Sequence, residues 1–398
     1  MSRFRTLDDL GDARASRALV RVDFNVPMDE ARVTDDTRLR AALPTIGELA
    51  QKGALVLLLS HRGRPKGKPD PDLSLAPLTD ELERLVGREV MFIPECRGEG
   101  AQRMIATMTP GDVALLENMR FHPGETANDP GFAAEVAALG DIYVNDAFSA
   151  AHRAHVSTEG LAHLLPAYAG RAMQAELEAL ERALGDPEHP VAAVVGGAKV
   201  STKLGVLEHL VGKVDHLVIG GAMANTFLAA RGMDVGKSLA EHDMKETALA
   251  ILAAAEAADC TVHLPYEVVV APALEADADA RAVNVHEVPP GEMILDLGPA
   301  AVEALADVLK TCRTLVWNGP LGAFETPPFH KATVALARTA AALTREGRLV
   351  SVAGGGDTVA ALAQAGAAED FSFVSTAGGA FLEWMEGKAL PGVAALSR

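Results

Sequence analysis

Short apolar segments alternate along the whole chain with segments that are rich in Ala, Leu and Glu and have helical periodicity. In the first half, the candidate strands are Ala18–Val26, Ala54–Ser60, Val90–Ile93, Asp112–Leu116 and Asp141–Asn145. In the second half, they are Val191–Val195, His216–Ile219, Thr261–Leu264, Thr314–Trp317, Leu349–Val352 and Phe371–Val374. Most are apolar throughout, as strands buried on both faces are. The alternation predicts an α/β fold in which parallel sheets are covered by helices.

The length of 398 residues favours two domains of ordinary size over a single core. We expect the boundary at Gln174–Leu184, which has helical periodicity and is followed by the helix-breaking cluster Gly185–Pro187. One helix there is expected to join the two domains as a hinge. Ligands of open α/β sheets bind beyond the carboxyl ends of the strands, so we predict a site in each domain and a cleft between them.

The residues at the carboxyl ends of the candidate strands differ between the two halves of the chain. In the first half they are rich in Arg and His, within Val20–Pro27, Leu59–Pro65 and Leu115–Phe121. In the second half they are rich in glycine, and every adjacent Gly-Gly pair lies beyond Val195. Arginine holds carboxylates and phosphates, whereas glycine-rich turns let backbone N–H groups approach a phosphate. The first half is therefore expected to bind a small anion and the second half a nucleotide.

The first candidate strand has an unusual pattern, because apolar residues alternate with Arg21, Asp23 and Asn25. If the strand continues through this segment, its period of two places the three polar side chains on one face. That face would lie near the carboxyl end of the strand.

Charge and composition exclude some partners. The net charge of −18 argues against nucleic acid. Within the first 170 residues the only lysines are Lys52, Lys66 and Lys68, and this bias towards arginine favours oxyanion binding. The N-terminal residues have no signal-peptide core, and no apolar run reaches the length of a membrane span. We expect a cytoplasmic protein that does not bind membranes.

Two motifs in the second half have both a functional and a structural interpretation. Lys199 and Lys203 are predicted to lie four residues apart on one helix face, either contacting phosphate or simply solvated; the helix dipole disfavours the second interpretation. The segment Gly354–Thr358 offers backbone N–H groups for phosphate and Asp357 for Mg²⁺. It is equally typical of a tight turn in which Asp357 caps a helix, and the motif alone does not decide.

Taken together and in this order, the motifs resemble those of the phosphoglycerate kinase family. They are RVDFNVP, DDTRLRAALPTI, SHRGRP, LLENMRF, AHRAH, GGAKVSTK, GGAMANTFL, WNGPLGAFE and GGGDT, which span about residues 20 to 360, with STAGGA extending the match to Ala380. The resemblance implies reversible phosphoryl transfer between 1,3-bisphosphoglycerate with ADP and 3-phosphoglycerate with ATP, using Mg²⁺. It also implies a monomer acting on small-molecule substrates.

The same resemblance implies two Rossmann-like domains separated by a hinged cleft. Residues 1–172 would bind 3-phosphoglycerate, and residues 173–385 would bind the nucleotide. The C-terminal tail, residues 386–398, would pack back on the first domain.

The resemblance also assigns roles to individual residues. Those implied to bind the substrate acid and its phosphate are Asp23, Phe24, Asn25, Arg38, His61, Arg62, Gly63, Arg64, Arg120 and Arg153. Those implied to bind the nucleotide are Lys203, Glu325, Gly354, Gly355, Gly356, Asp357 and Thr358, with Glu325 on the ribose and Asp357 serving Mg²⁺. Those implied to act on the phosphoryl group in transfer are Arg38, Lys199, Gly356 and Gly379. Arg21 is interpreted as structural.

The chain departs from the usual family pattern at Arg62, Thr202, Ile294, Ala377 and Phe381. Arg62 would add a cation beside the basic patch, and Ile294 would lie near the adenine. The sequence disfavours two other functions. A two-domain dehydrogenase is disfavoured because the chain has no G-x-G-x-x-G motif opening a helix and because of the paired lysines Lys199 and Lys203. A non-catalytic nucleotide- or anion-binding protein on the same fold is disfavoured by the intact Arg38, Lys199, Lys203 and Asp357.

Overall fold

A computed structural model of the chain describes residues 4–30 and 32–397. These residues form two compact units. The N-terminal unit runs to Leu177 and also contains the chain from Ala389 onwards, whereas the C-terminal unit is Glu178–Lys388. The predicted domain boundaries, at residues 172 and 385, lie a few residues before the observed boundaries after Leu177 and Lys388. Which ligand each unit binds stays a prediction.

A six-stranded parallel sheet organises the N-terminal unit, in the order β5-β6-β4-β1-β7-β8. The strands of this unit are β1 (Arg17–Arg21), β2 (Met28–Asp29), β3 (Arg32–Val33), β4 (Leu55–Leu59), β5 (Val90–Ile93), β6 (Val113–Leu116), β7 (Ile142–Asn145) and β8 (Ala167–Ala169). Strands β2 and β3 form a separate antiparallel pair. The helices are α1 (Thr37–Gln51), α2 (Thr79–Val86), α3 (Gly98–Ile105), α4 (Pro123–Thr126) and α5 (Pro130–Ala137).

The boundary between the units falls inside helix α6 (Arg171–Leu180), which continues as one wider turn over Glu181–Gly185. The buried carboxylate of Asp146 accepts hydrogen bonds from the N–H groups of Ala172 and Met173, at 2.9 and 3.2 Å, and so caps the start of α6. A helix was predicted here, with its start three residues later than observed.

A second six-stranded parallel sheet organises the C-terminal unit, in the order β11-β10-β9-β15-β16-β17. Its strands are β9 (Val191–Val195), β10 (His216–Ile219), β11 (Thr261–His263), β15 (Thr314–Asn318), β16 (Val350–Gly354) and β17 (Phe373–Ser375). A smaller antiparallel sheet contains β12 (Glu267–Ala271), β13 (Arg281–Asn284) and β14 (Met293–Leu297). The helices are α7 (Leu204–Leu210), α8 (Gly221–Ala230), α9 (Lys245–Ala257), α10 (Pro299–Thr311), α11 (Lys331–Arg345), α12 (Gly356–Ala365) and α13 (Gly379–Met385).

The last described residues belong to the N-terminal unit and include the short helix α14 (Pro391–Ala394). Gly392 donates its N–H to the carbonyl of Ala151 at 2.8 Å. Its own carbonyl accepts a hydrogen bond from Asn145 Nδ2 at 3.3 Å. Gly392 lies so close to Ala151 that an added Cβ would stand 3.0 Å from the Ala151 Cα.

The predicted α/β fold with two parallel sheets is confirmed, with helices flanking the sheets. The continuous apolar segments became the central strands, such as β4 and β9, in which every residue is buried. No helix among residues 4–30 and 32–397 is long and apolar enough to cross a membrane.

One predicted strand end was wrong, and one sheet was not predicted. Strand β1 ends at Arg21 rather than Val26, because the backbone N–H of Phe24 donates to the side chain of Ser60, at 2.9 Å, instead of to a neighbouring strand. Asp23 and Asn25 therefore lie in the segment beyond the strand. The antiparallel sheet of β12, β13 and β14 was not predicted at all.

Glycine at position 196 is required by the close approach of two chain segments. A Cβ at Gly196 would stand 1.8 Å from the carbonyl oxygen of Pro320, a backbone atom that cannot rotate away. We predict that Gly196→Ala lowers the free energy of unfolding by about 2–3 kcal/mol, measured by urea denaturation of the full chain. Gly212→Ala is the control, because no atom lies within 4 Å of its added Cβ. Equal stability of the two variants would contradict this close approach.

Candidate functional site

The predicted acid-binding residues come together at one edge of the N-terminal sheet. Adjacent strands β6, β4, β1 and β7 are parallel, so their carboxyl ends share that edge. The segments that follow these strands carry His61, Arg64, Arg120 and Arg153. Strand pairing thus gathers side chains that are far apart in the sequence.

A cavity of about 350 Å³ lies among these segments. Its charged and titratable lining consists of Arg64, Lys66, Arg120, Arg153 and His155. No carboxylate lines the cavity in the described part of the chain. Four permanent cations around one small volume favour an anionic ligand.

Crowding of positive charge perturbs the groups in this cavity. Burial, together with Arg153 and Arg21, lowers the pKa of Arg120 to about 10. Burial, together with Arg120 and Arg153, lowers the pKa of His155 to about 4. Arg120 donates from Nη1 to the carbonyl of Gly63 at 2.8 Å, while its buried Nε has no acceptor among the described residues. An oxyanion would satisfy this N–H and relieve the repulsion between the guanidinium groups.

Arg38 is held beside this region by residues of the segment beyond β1. Its Nη1 lies 3.0 Å from Asp23 Oδ2 and donates to the carbonyl of Asn25 at 2.9 Å. The side chain of Asn25 in turn accepts a hydrogen bond from the N–H of Gly63 at 3.0 Å. These contacts link Arg38, on the first turn of α1, to the segment that carries His61 and Arg64. The side chain of Arg38 stays 38% exposed and therefore accessible to a ligand.

Of the ten predicted acid-binding residues, Arg64, Arg120 and Arg153 line the basic cavity, and the side chains of Phe24 and Arg62 are directed elsewhere. Phe24 is fully buried in the core of the N-terminal unit, so its side chain is not available to a ligand. Arg62 donates to the carbonyl of Ser74 at 3.1 Å and does not line the basic cavity. The extra cation expected from Arg62 is therefore directed away from the cavity.

The C-terminal unit holds a second cavity, of about 510 Å³. Glycine-rich turns after β9, β10 and β15 form one side, and Met293, Ile294, Leu295 and Leu297 of β14 form an apolar wall. Asp296, Glu325 and Asp357 contribute carboxyl groups to the lining. Apolar walls with a few polar groups at the margins suit a ligand that has one flat apolar part and one charged part.

The side chain of Lys203 contacts the backbone of the turn that follows β9. Its Nζ donates to the carbonyl oxygens of Gly196 and Asn318, at 2.7 and 3.0 Å, and also to the side-chain oxygen of Asn318. Burial lowers the pKa of Lys203 to about 8. The protonated amine is thus held in place by carbonyl dipoles beside the cavity.

The expectation that Lys199 and Lys203 share a helix face was wrong. Helix α7 begins at Leu204, after both lysines, because the preceding residues form the glycine turn. Lys199 is exposed, whereas Lys203 is partly buried. The hydroxyl of Thr202 donates to the carbonyl of Lys199 at 2.9 Å, which is a local role for this unusual residue.

The segment Gly354–Thr358 connects β16 to α12, as predicted. Gly355 has a φ of +100°, which favours glycine, and α12 begins at Gly356 with Asp357 in its first turn. The hydroxyl of Thr358 accepts a hydrogen bond from the N–H of Gly319 at 2.7 Å. Thr358 is buried, so it fastens two turns together rather than presenting its hydroxyl to a ligand.

Gly379 begins helix α13, and Phe381 on that helix is fully buried. A Cβ added at Gly354 would stand 2.6 Å from the Phe381 ring. The unusual Phe381 therefore packs against the backbone of the turn after β16, and Ala377 is also buried. Packing of this kind holds Gly354 and the start of α13 near each other.

Asp296 was missed by the sequence reasoning. This residue of β14 lines the second cavity, is 2% exposed, and accepts a hydrogen bond from the N–H of Ala332 at 3.0 Å. Burial raises the pKa of Asp296 to about 7. An acid inside an otherwise apolar segment was the available signal. Lys66, at the basic cavity, was also missed.

These two cavities, one basic and one rich in glycine turns, are features of a small-molecule kinase built from two α/β units. The family model described as phosphoglycerate kinase matches residues 7–388. The phosphoglycerate kinase of Rhizorhabdus wittichii is 73% identical over 393 residues, covering 99% of each chain. That of Sphingopyxis alaskensis is 69% identical and covers both chains fully. The chain belongs to the phosphoglycerate kinase family.

Solved structures agree with this assignment. The phosphoglycerate kinase of Coxiella burnetii matches with a TM-score of 0.93 and 42% identity, covering 99% of this chain and 98% of the other. That of Pyrococcus horikoshii OT3 matches with a TM-score of 0.76 and 30% identity over the same shares. Similarity thus extends over the whole chain, including both parallel sheets.

The lowered pKa of Lys203 gives a test by pH. Between pH 8 and about 10.5, the ordinary pKa of lysine, Lys203 loses its proton in the folded state before it does so in the unfolded state. Since the unfolded state then binds more protons at this residue, the contribution of Lys203 to the free energy of unfolding rises with pH in this window. We predict that the stability of the wild type relative to Lys203→Met increases from pH 8 to 10, measured by urea denaturation. The exposed Lys213→Met is the control, and parallel curves for the wild type and Lys203→Met would contradict the low pKa.

Proposed function

We propose that this chain catalyses the reversible transfer of a phosphoryl group between 1,3-bisphosphoglycerate with ADP and 3-phosphoglycerate with ATP, in glycolysis. The observation that carries the proposal is the chemical difference between the two cavities. One is lined by four permanent cations and the other by glycine turns with an apolar wall. A small acid phosphate matches the first, and a nucleotide matches the second. We expect the enzyme to act in the cytoplasm as a monomer.

In the proposed complex, the N-terminal unit holds the glycerate. Arg64, Arg120 and Arg153 bind its phosphate, because guanidinium groups form paired hydrogen bonds with phosphate oxygens. Asp23 and Asn25 contact the hydroxyl and carboxyl region. The support for this arrangement is the unsatisfied Nε of Arg120, together with the hydrogen bonds that Asp23 accepts from the hydroxyl of Ser149 and that Asn25 accepts from the N–H of Gly63.

The C-terminal unit is proposed to bind the nucleotide. The base lies against the apolar wall of β14, and Glu325 accepts hydrogen bonds from the ribose hydroxyls. Backbone N–H groups of Gly354–Gly356 and the ammonium of Lys203 bind the phosphates. Each of these groups lines the cavity or adjoins residues that do.

The donor set fits a magnesium ion that arrives with the nucleotide. No group of three or more His, Cys, Asp or Glu residues is suited to a metal ion in the described part of the chain. Asp357 supplies one carboxylate at the cavity, and Mg²⁺ is commonly held by one or two carboxylates together with substrate phosphates. When bound, the ion would neutralise charge on the phosphate oxygens.

Little proton transfer is needed in this reaction. The attacking group is a carboxylate, which is already ionised at neutral pH, so no general base is required. A loose transition state spreads negative charge over the equatorial oxygens of the phosphoryl group. We propose that Arg38, Lys199 and the backbone N–H groups of Gly356 and Gly379 stabilise that charge.

Because the two substrates are assigned to different units, transfer requires that the units close on each other. Closure also excludes water, which limits hydrolysis of the reactive acyl phosphate. Helix α6 carries the boundary between the units and is the proposed hinge.

A coupled assay for ATP formation from 1,3-bisphosphoglycerate and ADP tests the proposal. We expect turnover that depends on Mg²⁺ and that falls at least about 100-fold in Arg38→Ala, because one transition-state cation is lost. Binding of ADP by Arg38→Ala should remain within about threefold of wild type, measured by calorimetry, since Arg38 lies in the other unit.

Arg40→Ala is the matched control. Arg40 is on the same helix, and its ion pair is with Asp36 rather than with Asp23. It should keep normal turnover. Absence of Mg²⁺-dependent turnover in the wild type would reject the function, and an equal loss of ADP affinity in Arg38→Ala would reject the division of roles.

A further inference from the structure

Arg21, the last residue of β1, is one of the largest fully buried side chains, at 1% exposure. Its Nε donates to Ser157 Oγ at 2.9 Å, and its Nη2 lies 2.8 Å from His61 Nδ1. Its Nη1 donates to the carbonyl of Val22. A guanidinium group has donors only, so it must be the donor in all three contacts.

This restriction sets the direction of the hydrogen bonds on one side of Arg21. Ser157 Oγ accepts from Arg21, so its own hydrogen is directed to Glu125 Oε1, at 2.5 Å. The N–H of Ser157 donates to the other oxygen of Glu125 at 3.0 Å. Tyr143 donates its hydroxyl to the carbonyl of Ser157 at 2.7 Å and thereby holds this segment. A buried carboxylate thus balances the buried guanidinium through one serine.

On the other side, the same restriction determines the state of His61. Because Arg21 donates to Nδ1, that nitrogen is unprotonated, and the hydrogen of the neutral ring is on Nε2. His61 is only 4% exposed. Its burial, together with Arg21, Arg120, Arg153 and His155, holds its pKa well below the ordinary value, so the ring stays uncharged at neutral pH.

The hydrogen bond of the His61 ring within residues 4–30 and 32–397 is its contact with Arg21 through Nδ1, which leaves the Nε2–H group for a ligand. His61 lies in the segment after β4, in which Arg64 lines the basic cavity and the Gly63 carbonyl accepts a hydrogen bond from Arg120 at 2.8 Å. Arg120 and Arg153 also contribute to the low pKa of His61. The ring is thus close to the segments that carry the cations, although it does not itself line the cavity. A neutral donor adds a hydrogen bond for an anion there without adding to the repulsion between the cations.

We propose that Arg21 is a positioning residue that fixes His61 in the Nε2–H tautomer, so that the ring donates an uncharged hydrogen bond to an oxygen of the acid substrate. The inference rests on the proposed function for the identity of that substrate. It gives Arg21, otherwise interpreted as structural, a defined effect on binding through His61.

The tautomer is measured directly, without any assay of activity. In the full-length protein with ¹⁵N-labelled histidine, two-bond ¹H–¹⁵N correlation spectra distinguish a protonated from an unprotonated ring nitrogen. We expect the His61 signals, assigned by their loss in His61→Gln, to show protonated Nε2 and unprotonated Nδ1 at pH 7. Protonated Nδ1, or a doubly protonated ring, would overturn the proposal even if the enzyme is fully active.

Substitutions of His61 test which nitrogen contacts the substrate. The amide nitrogen of Gln reaches the position of Nε2, whereas that of Asn reaches the position of Nδ1. We expect His61→Gln to keep the KM for 3-phosphoglycerate within about threefold, and His61→Asn to raise it about tenfold, the usual effect of one lost hydrogen bond to a charged group. The reverse order would overturn the proposal.

Arg21→Met removes the positioning donor. We expect the Nδ1–H tautomer of His61 to appear in the spectrum and the KM for 3-phosphoglycerate to rise about tenfold, with the KM for ATP within about twofold. Arg17→Met is the control, because Arg17 is on the same strand and pairs with Asp141 at the surface. An unchanged tautomer in folded Arg21→Met would overturn the proposal. If Arg21→Met does not fold, the proposal is tested by the wild-type spectrum and by the two variants His61→Gln and His61→Asn.

Discussion

Parallel strand pairing is the constraint on which the rest of this structure depends. In each unit it brings the carboxyl ends of neighbouring strands to one edge of a sheet, and the chemically distinctive side chains follow those ends. In the N-terminal sheet, Arg21 of β1 is in register with Leu59 of β4 and with Asn145 of β7. In the C-terminal sheet, Asn318 of β15 is in register with Val195 of β9. Segments that follow β4, β6 and β7 line the basic cavity, and segments that follow β9, β10 and β15 line one side of the second cavity.

The two edges use this geometry differently. At the N-terminal edge, long cationic side chains surround the cavity, and a buried chain of hydrogen bonds from Glu125 through Ser157 and Arg21 supports them. At the C-terminal edge, backbones approach so closely that a Cβ on Gly319 would lie 2.0 Å from the carbonyl oxygen of Gly196. That approach places the carbonyl groups which hold Lys203. One edge thus supplies charge, and the other supplies shape and backbone polarity.

The sequence predicted the central strands well and the polar segments around them poorly. Strands such as β9 and β10 match the predicted bounds, because a continuous apolar run bounded by glycine has few other interpretations. The end of β1 was missed because it depends on a hydrogen bond from Phe24 to the side chain of Ser60, 36 positions away. In the antiparallel sheet, β13 is largely exposed and β14 is interrupted by Asp296, so neither has a continuous buried apolar pattern. The apolar run Val268–Ala271 of β12 was overlooked.

Among site residues, the basic cluster of Arg64, Arg120 and Arg153 was predictable from residue type and position after the strands. The directions of individual side chains were not. Arg62 and Arg64 are two residues apart, yet only Arg64 lines the basic cavity. The environment of Asp296 was also not predictable from local sequence. Its carboxyl group is buried and accepts a hydrogen bond from the N–H of Ala332, which belongs to helix α11. Such contacts arise from tertiary packing, which local sequence does not contain.

Hydrogen exchange measured by mass spectrometry tests most directly whether the two sites are separate. With 3-phosphoglycerate alone, we expect slower exchange in peptides covering residues 61–64, 118–121 and 153–157. With ADP and Mg²⁺ alone, we expect it in peptides covering residues 196–203, 319–325 and 354–358. Protection of the same peptides by both ligands, or of the opposite sets, would contradict the division between an arginine site for the acid and a glycine-turn site for the nucleotide.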